Sequence, residues 1–378
     1  MFFYTDLNIS GSSRMKDQAK TLSNAISEPH EASPRQLWHH LWHQRAKTLQ
    51  WVKLNYTAEA QGRFKVISRK GGLLHDAFGR VLEQVDSQAF QHLWKPEFDA
   101  ELYPQFGAGS PPKAFTLNPP RDHNQAYQRG DIFEFSLVLF GAAISHANAC
   151  TTAFYKIGQF GLGSKDAKFK LTACDYQKRP LENLSQYSPS ADSYPCYKTA
   201  VAEPLNIKLT LRTPAYLKSN GRLLNCAPTF TYLLARIIYR ANWLSVCSGK
   251  GVLISEALRK QLLEHALTVS IKDDNTYVDN WKRHSISRKK WMCFDGLAGS
   301  VVYSGVSTEL APLLELIAAI NLGGKTSFGM GELEWIVESR VESRVESRVE
   351  SRVEGLVEPS VEGIVKEIHE EIHEEIAE

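Results

Sequence analysis

Asn321-Leu-Gly-Gly-Lys-Thr-Ser-Phe-Gly-Met-Gly-Glu332 is the stretch on which the fold of this chain turns. It follows an apolar run with helical spacing, Glu309 to Ile320, and leads into a short strand-like run, Leu333-Glu-Trp-Ile336. Four glycines between Gly323 and Gly331 let the backbone take positive φ and approach another chain closely. Lys325, Thr326 and Ser327 set a cation and two hydroxyls among the amides, a surface suited to phosphate oxygens. A nucleoside-triphosphate loop is excluded. It needs a glycine five residues before the Gly-Lys pair, where this chain has Ala319, and it runs from strand to helix, not from helix to strand. A nucleic-acid backbone remains as the ligand, with a plain glycine turn as the bland alternative.

Working back from the loop, the same order of elements is read twice. In the first half, Leu49–Tyr56 and Arg63–Ile67 alternate as strands, and Leu73–Leu82 carries helical spacing. Lys113–Leu117 and Phe133–Phe140 read as strands, Ala142–Ile157 as an apolar helix, and Lys168–Ala173 as a closing strand. In the second half, strand Asn206–Arg212 precedes a long helix from Phe230 to Tyr239. Strand-like Leu267–Ile271 and Trp291 to Tyr303 follow, then helix, glycine loop and closing strand. The expected class is α+β, two tandem ferredoxin-like βαββαβ domains with a low-complexity C-terminal tail. The expected boundaries are 1–47 for an extension, 48–175 and 204–336 for the domains, 176–203 for a linker and 337–378 for the tail.

Charge is divided unevenly. Residues 337–378 hold 13 acidic and 5 basic side chains, a balance of −8; the remaining residues hold 39 basic and 29 acidic, or +10. A body that basic, with 8 Trp in it, suits a polyanion. The six cysteines lack any Cys-x-x-Cys pair, which fits reduced thiols in a cytoplasm and no zinc module. The N-terminus has no basic n-region or apolar core of a signal peptide, and no segment reaches membrane-spanning length. Trp38-His-His-Leu-Trp-His43 reads as a short amphipathic helix, docking or solvated. His369-Glu-Glu-Ile-His373 matches a zinc-protease pattern only because Glu-Ile-His-Glu repeats there. Val-Glu-Ser-Arg recurs with period four in the tail, stacking like charges on any helix, so the tail reads as a marginal helix or disordered appendage.

Two further stretches carry chemistry. Gly71-Gly-Leu-Leu-His75 places a histidine near the start of the first helix, beside Arg69, Lys70 and Arg80. Internal transesterification of RNA needs a base for the 2′-OH, an acid for the departing 5′-oxygen and cations for the charge between them. Histidine suits either proton role. Trp281-Lys-Arg-His-Ser-Ile-Ser-Arg-Lys-Lys-Trp291 interleaves cations with flanking tryptophans, so Arg288, Lys289 and Lys290 are candidate RNA contacts and His284 a second catalytic candidate.

The glycine loop at the end of such a domain resembles the signature of the RAMP superfamily, and more narrowly that of the CRISPR precursor-RNA processing endoribonucleases. Gly71-Gly-Leu-Leu-His75, Phe135 to Gly141, Gly161-Leu-Gly163 and Leu211-Arg-Thr-Pro214 are similar to that family's segments. The resemblance implies a metal-independent endoribonuclease, without cofactor, that cuts CRISPR repeat RNA in precursor transcripts and leaves a 2′,3′-cyclic phosphate. It implies His75 as the proton-transfer group, with Lys70 and Tyr56 assisting. Gly323, Gly324, Lys325, Thr326, Ser327, Gly329 and Gly331 are expected to grip the RNA. Other CRISPR effector or adaptation proteins are expected partners through the tail. A non-catalytic guide-RNA-binding subunit is the rival reading, and an adaptor docked by its tail a second.

Overall fold

The computed structural model describes residues 49–66, 70–99, 101–106, 111–179, 204–280, 282–285, 290–307 and 310–338. The histidine-rich N-terminal run, 180–203 of the expected linker, 339–378 of the expected tail, Arg288 and Lys289 lie outside these residues.

In the first half the order is β1 (Trp51–Ala60), β2 (Phe64–Lys65), α1 (Gly71–Val85), α2 (Ser87–Trp94), β3 (Phe115–Asn118), β4 (Ala126–Tyr127), β5 (Ile132–Phe140), α3 (Ala147–Phe160) and β6 (Phe169–Arg179). Four of the strands make an antiparallel sheet in the order β3-β5-β1-β6. Burial alternates strictly along β1, so Val52, Leu54, Tyr56, Ala58 and Ala60 face the core. Leu74, Phe78 and Leu82 of α1 and Phe154 and Ile157 of α3 close that core from one side. The expected strand at Arg63–Ile67 is only the two-residue β2, paired with β4 outside the main sheet. The chain leaves the sheet after Ala60, and α1 follows too soon for a second full strand.

The second half repeats the plan with β7 (Leu205–Ala215), β8 (Lys218–Ser219), β9 (Arg222–Leu223), α4 (Phe230–Cys247), α5 (Glu256–Ala266), β10 (Ser270–Asp279), β11 (Lys282–Ser285), β12 (Lys290–Cys293), β13 (Gly296–Val306), α6 (Ala311–Ile320) and β14 (Leu333–Val337). Its sheet order is β10-β13-β7-β14, again antiparallel. In both sheets the first strand lies between the third and fourth, and the second strand lies outside the third. That is the split βαββαβ arrangement of a ferredoxin-like unit. The strand expected at Leu267–Ile271 begins later and runs to Asp279, while β11 and β12 form a separate hairpin.

The halves are not independent. Leu49, Val138 and Phe140 of the first half belong to the apolar cluster of the second. Thr116 on β3 and Arg240 on α4 meet at the end of α6, so the second half's helices cover part of the first sheet's outer face. Among the described residues no helix is long and apolar enough to cross a membrane.

Candidate functional site

The seam between the halves is where the charged and aromatic side chains converge. Helix α1 reaches it through Gly71: a Cβ there would lie 2.0 Å from the Phe328 carbonyl oxygen, so only glycine lets the helix start this close to the loop. One turn later His75 points into the seam. Its ring stacks on Phe328 at 3.8 Å between centroids, with Trp94 at 5.6 Å and Phe115 at 6.2 Å. The residue is 7% exposed.

Both imidazole nitrogens have partners. Lys113 Nζ stands 2.6 Å from Nε2, and Asp76 Oδ1 stands 3.3 Å from Nδ1. An ammonium can only donate, so Nε2 accepts from Lys113 and the Nδ1 proton is directed at Asp76. Lys113 also lies over the rings of Trp94 and Phe328, at 5.1 and 5.3 Å. Burial lowers its pKa to about 8. A lysine that changes charge near neutrality, touching a histidine, is a pair able to pass protons.

The two expected assistants of His75 are placed elsewhere. Lys70 is buried, and its ammonium donates to Asp122 Oδ1 at 2.8 Å and to the Asp122 carbonyl at 2.9 Å. Burial pushes the Asp122 carboxyl up, but the hydrogen bonds from Lys70 and Tyr127 outweigh it and hold the group below its usual range. Tyr56 is inside the first core. Its ring stacks on Phe135, its hydroxyl pairs with Thr151 at 3.1 Å, and burial raises its pKa well above the ordinary value. The lysine that reaches the imidazole is Lys113, which no motif in the sequence marks: it follows two prolines in a loop-rich stretch.

The glycine loop is built into the seam and packs closely. A Cβ on Gly323 would meet the Tyr216 carbonyl oxygen at 2.4 Å, on Gly329 the Pro119 ring at 2.5 Å, and on Gly331 the Leu322 carbonyl oxygen at 1.9 Å. All three have positive φ. The Gly324 amide donates to the Tyr216 carbonyl at 3.0 Å. Thr326 and Ser327 are buried, and Thr326 Oγ1 accepts from Arg240. Lys325 takes the left-handed conformation (φ 56°), donates to the Cys293 carbonyl at 2.9 Å and lies 3.6 Å from the Tyr216 ring centre. Beside the loop, Asn321 donates to Asn118 at 2.9 Å, and Arg121 pairs with the buried Glu332 at 2.6 Å. Of the second patch, Lys290 opens β12 and His284 lies on β11 opposite Trp291. Among the described residues no three His, Cys, Asp or Glu side chains gather as a metal site would.

Tandem ferredoxin-like halves, closed by a glycine-rich loop before the last strand, define the class of fold. Residues 209–333 match the family model of the CRISPR-associated endoribonuclease Cas6, and residues 49–192 match a model described as an N-terminal domain. The first of these matches makes the second half of the chain similar to Cas6-type CRISPR RNA-processing proteins. No curated protein matches it. Among solved structures, a Cas6 product complex is similar at 15% identity and TM-score 0.48, covering 76% of this chain and 100% of that one. Thermus thermophilus Cas6 is similar at 12% identity and TM-score 0.48, covering 76% and 99%. A partial Cas6-RT-Cas1–Cas2 complex is similar at 13% identity and TM-score 0.49, covering 84% of this chain and 49% of that one.

Proposed function

We propose that the protein cuts CRISPR repeat RNA by internal transesterification, with His75 and Lys113 moving the protons. The observation that carries this reading is the 2.6 Å contact between His75 Nε2 and Lys113 Nζ at the seam of a basic, two-unit protein. The entering phosphate draws the Lys113 ammonium away from Nε2, and the freed nitrogen takes the proton of the ribose 2′-OH. The 2′-oxygen bonds to phosphorus as the bond from phosphorus to the 5′-oxygen breaks. Lys113 stabilises the pentavalent charge and supplies a proton to the departing 5′-oxygen. The products are a 2′,3′-cyclic phosphate and a 5′-OH, and no step in this sequence uses a metal. Asp76 keeps the imidazole in the tautomer that leaves Nε2 as the acceptor.

The test is incubation of the purified chain with its repeat RNA in EDTA, followed by analysis of the ends. Cyclic phosphate ends are expected, with cutting at least about 100-fold slower in His75→Ala and RNA retention kept. Undiminished cutting by that variant would remove His75 from the mechanism. RNA held without cutting by the parent would instead make the chain a guide-RNA-binding subunit.

A further inference from the structure

The segment from Lys113 to Asp122, which contains β3, is fastened to helix α1 at both of its ends. At one end Lys113 meets His75 Nε2 at 2.6 Å. At the other, Asp122 accepts from the Lys70 ammonium twice, through Oδ1 at 2.8 Å and through its backbone carbonyl at 2.9 Å. Lys70 is where the helix begins: it is the N-cap of α1, and its carbonyl accepts from the Leu74 amide at 3.0 Å. His75 follows one turn on, so whatever holds Lys70 also holds the end of the helix that carries the imidazole.

Two features argue that the second fastening sets the first. The Asp122 carboxylate is itself fixed: Tyr127 donates to Oδ1 at 3.0 Å and to Oδ2 at 2.8 Å, and the Asn124 amide donates to Oδ1 at 3.0 Å. It cannot turn away from Lys70 without losing charge-assisted hydrogen bonds. The contact between Lys113 and His75, by contrast, joins the tips of two side chains 38 residues apart, and a lysine has many rotamers to lose in making it. A shift of about 1 Å between β3 and α1 would open that contact. The same shift would lift Lys113 from the rings it lies over, Trp94 and Phe328.

We propose that Asp122 is a positioning residue for the proton-transfer pair: by holding Lys70 it fixes β3 against the start of α1 and so keeps Lys113 on His75. Lys70 acts through it without touching the reacting atoms, and the role rests on the cleavage reading above.

The test compares Asp122→Ala, Lys70→Met and the conservative Asp122→Asn in two assays. The first follows acetylation of Lys113 by acetic anhydride in the RNA-free protein between about pH 6 and 11, which reads the titration of that amine directly. The parent should titrate at about 8. Asp122→Ala and Lys70→Met should each move the titration up by at least about one pH unit, toward that of a solvated lysine. The second assay measures cleavage of repeat RNA against pH. In the same two variants kcat should fall about 10- to 100-fold with KM within about threefold, and the falling limb of kcat/KM should move up with the lysine. Asp122→Asn keeps an acceptor for Lys70, so it should cut within about threefold of the parent with the limb in place. A merely structural loss lowers the folded fraction and leaves the limb where it was. Thermal melting identifies a variant that does not fold, and the other then carries the test. An unmoved Lys113 titration in the folded variants would overturn the positioning role and leave the cleavage reading intact, as would parental cutting by a variant whose titration has moved. A moved titration in a protein whose parent never cuts would overturn the cleavage reading and leave the tether standing.

Discussion

At the scale of single residues, Lys113 governs how the site answers to pH. In the free protein its ammonium donates to His75, and burial has lowered its pKa to about 8. Below that pH the lysine is charged and can meet a phosphate oxygen; above it the charge is lost. kcat/KM reports groups of the free enzyme, so it is expected to fall as pH rises through about 8. Lys113→Arg keeps a cation at every accessible pH and should remove that falling limb, whatever it does to the rate. A falling limb of unchanged position in Lys113→Arg would assign the titration to another group. Folding is linked to the same proton. The unfolded lysine has the higher pKa and binds more protons between about 8 and 10.5, so this residue favours the fold more as pH rises across that window. His75 could be singled out in the sequence because Gly71-Gly-Leu-Leu-His75 is similar to a segment of the resembled family; Lys113 could not. It lies 38 residues from the histidine it touches, and its low pKa comes from burial, which no local pattern encodes.

At the scale of elements, the glycine loop is held by shape. Gly331 has φ of +74° and would bring a Cβ within 1.9 Å of the Leu322 carbonyl oxygen, whereas Gly62 has open space around it. Gly331→Ala should therefore destabilise the fold by at least about 2 kcal/mol, since the backbone strain and the clash with a carbonyl add. Gly62→Ala should change stability by no more than about 1 kcal/mol, because it meets no atom and only restricts the unfolded chain. Urea unfolding of the two variants compares them directly, and equal midpoints would mean that the loop relaxes to admit a side chain. The loop's glycines could be picked out from sequence, but the surface they touch could not: the amides and hydroxyls that looked open to a ligand are largely turned toward Tyr216, Arg240 and Leu322. Other elements were hidden for different reasons. Strand β10, Ser270 to Asp279, is exposed along most of its length and holds three Asp and one Asn, so neither alternation nor composition announces it. It is a strand because its backbone pairs with β13. Helix α2 buries only Ala89 and Leu93, too narrow a stripe to read, although Asp86 caps it through the Ala89 amide.

At the scale of the whole molecule, the two halves meet through apolar contact at Leu49, Val138 and Phe140 and through a polar seam whose hub is Arg240. Its guanidinium donates to the Ile320 carbonyl at 2.9 Å and to Thr326 at 2.7 Å in the second half, and to Thr116 at 3.2 Å in the first. Burial lowers its pKa to about 10, which still leaves it charged at neutral pH. The tandem halves follow from hydrophobic periodicity, which is local. The seam does not, since its contacts join Asn118 to Asn321 and Arg121 to Glu332 across 203 and 211 residues. Replacing Arg240 by Leu removes three hydrogen bonds of a cation and leaves the Ile320 carbonyl with only the hydroxyl of Thr116 among these partners. A loss of about 2–4 kcal/mol is expected. That loss should fall on the joint between the halves, because apart from Leu49, Val138 and Phe140 the buried residues of each apolar cluster come from one half. Calorimetry of the parent should show one cooperative transition, and Arg240→Leu should split it, with the earlier component at least about 4 °C lower. The same variant should expose His75, because the ring that covers it, Phe328, belongs to the loop that Arg240 holds through Thr326. Modification of His75 by an imidazole-directed reagent should then be faster than in the parent. A single transition at the parental temperature, with His75 still shielded, would show that apolar contact at Leu49, Val138 and Phe140 holds the halves together without the cation.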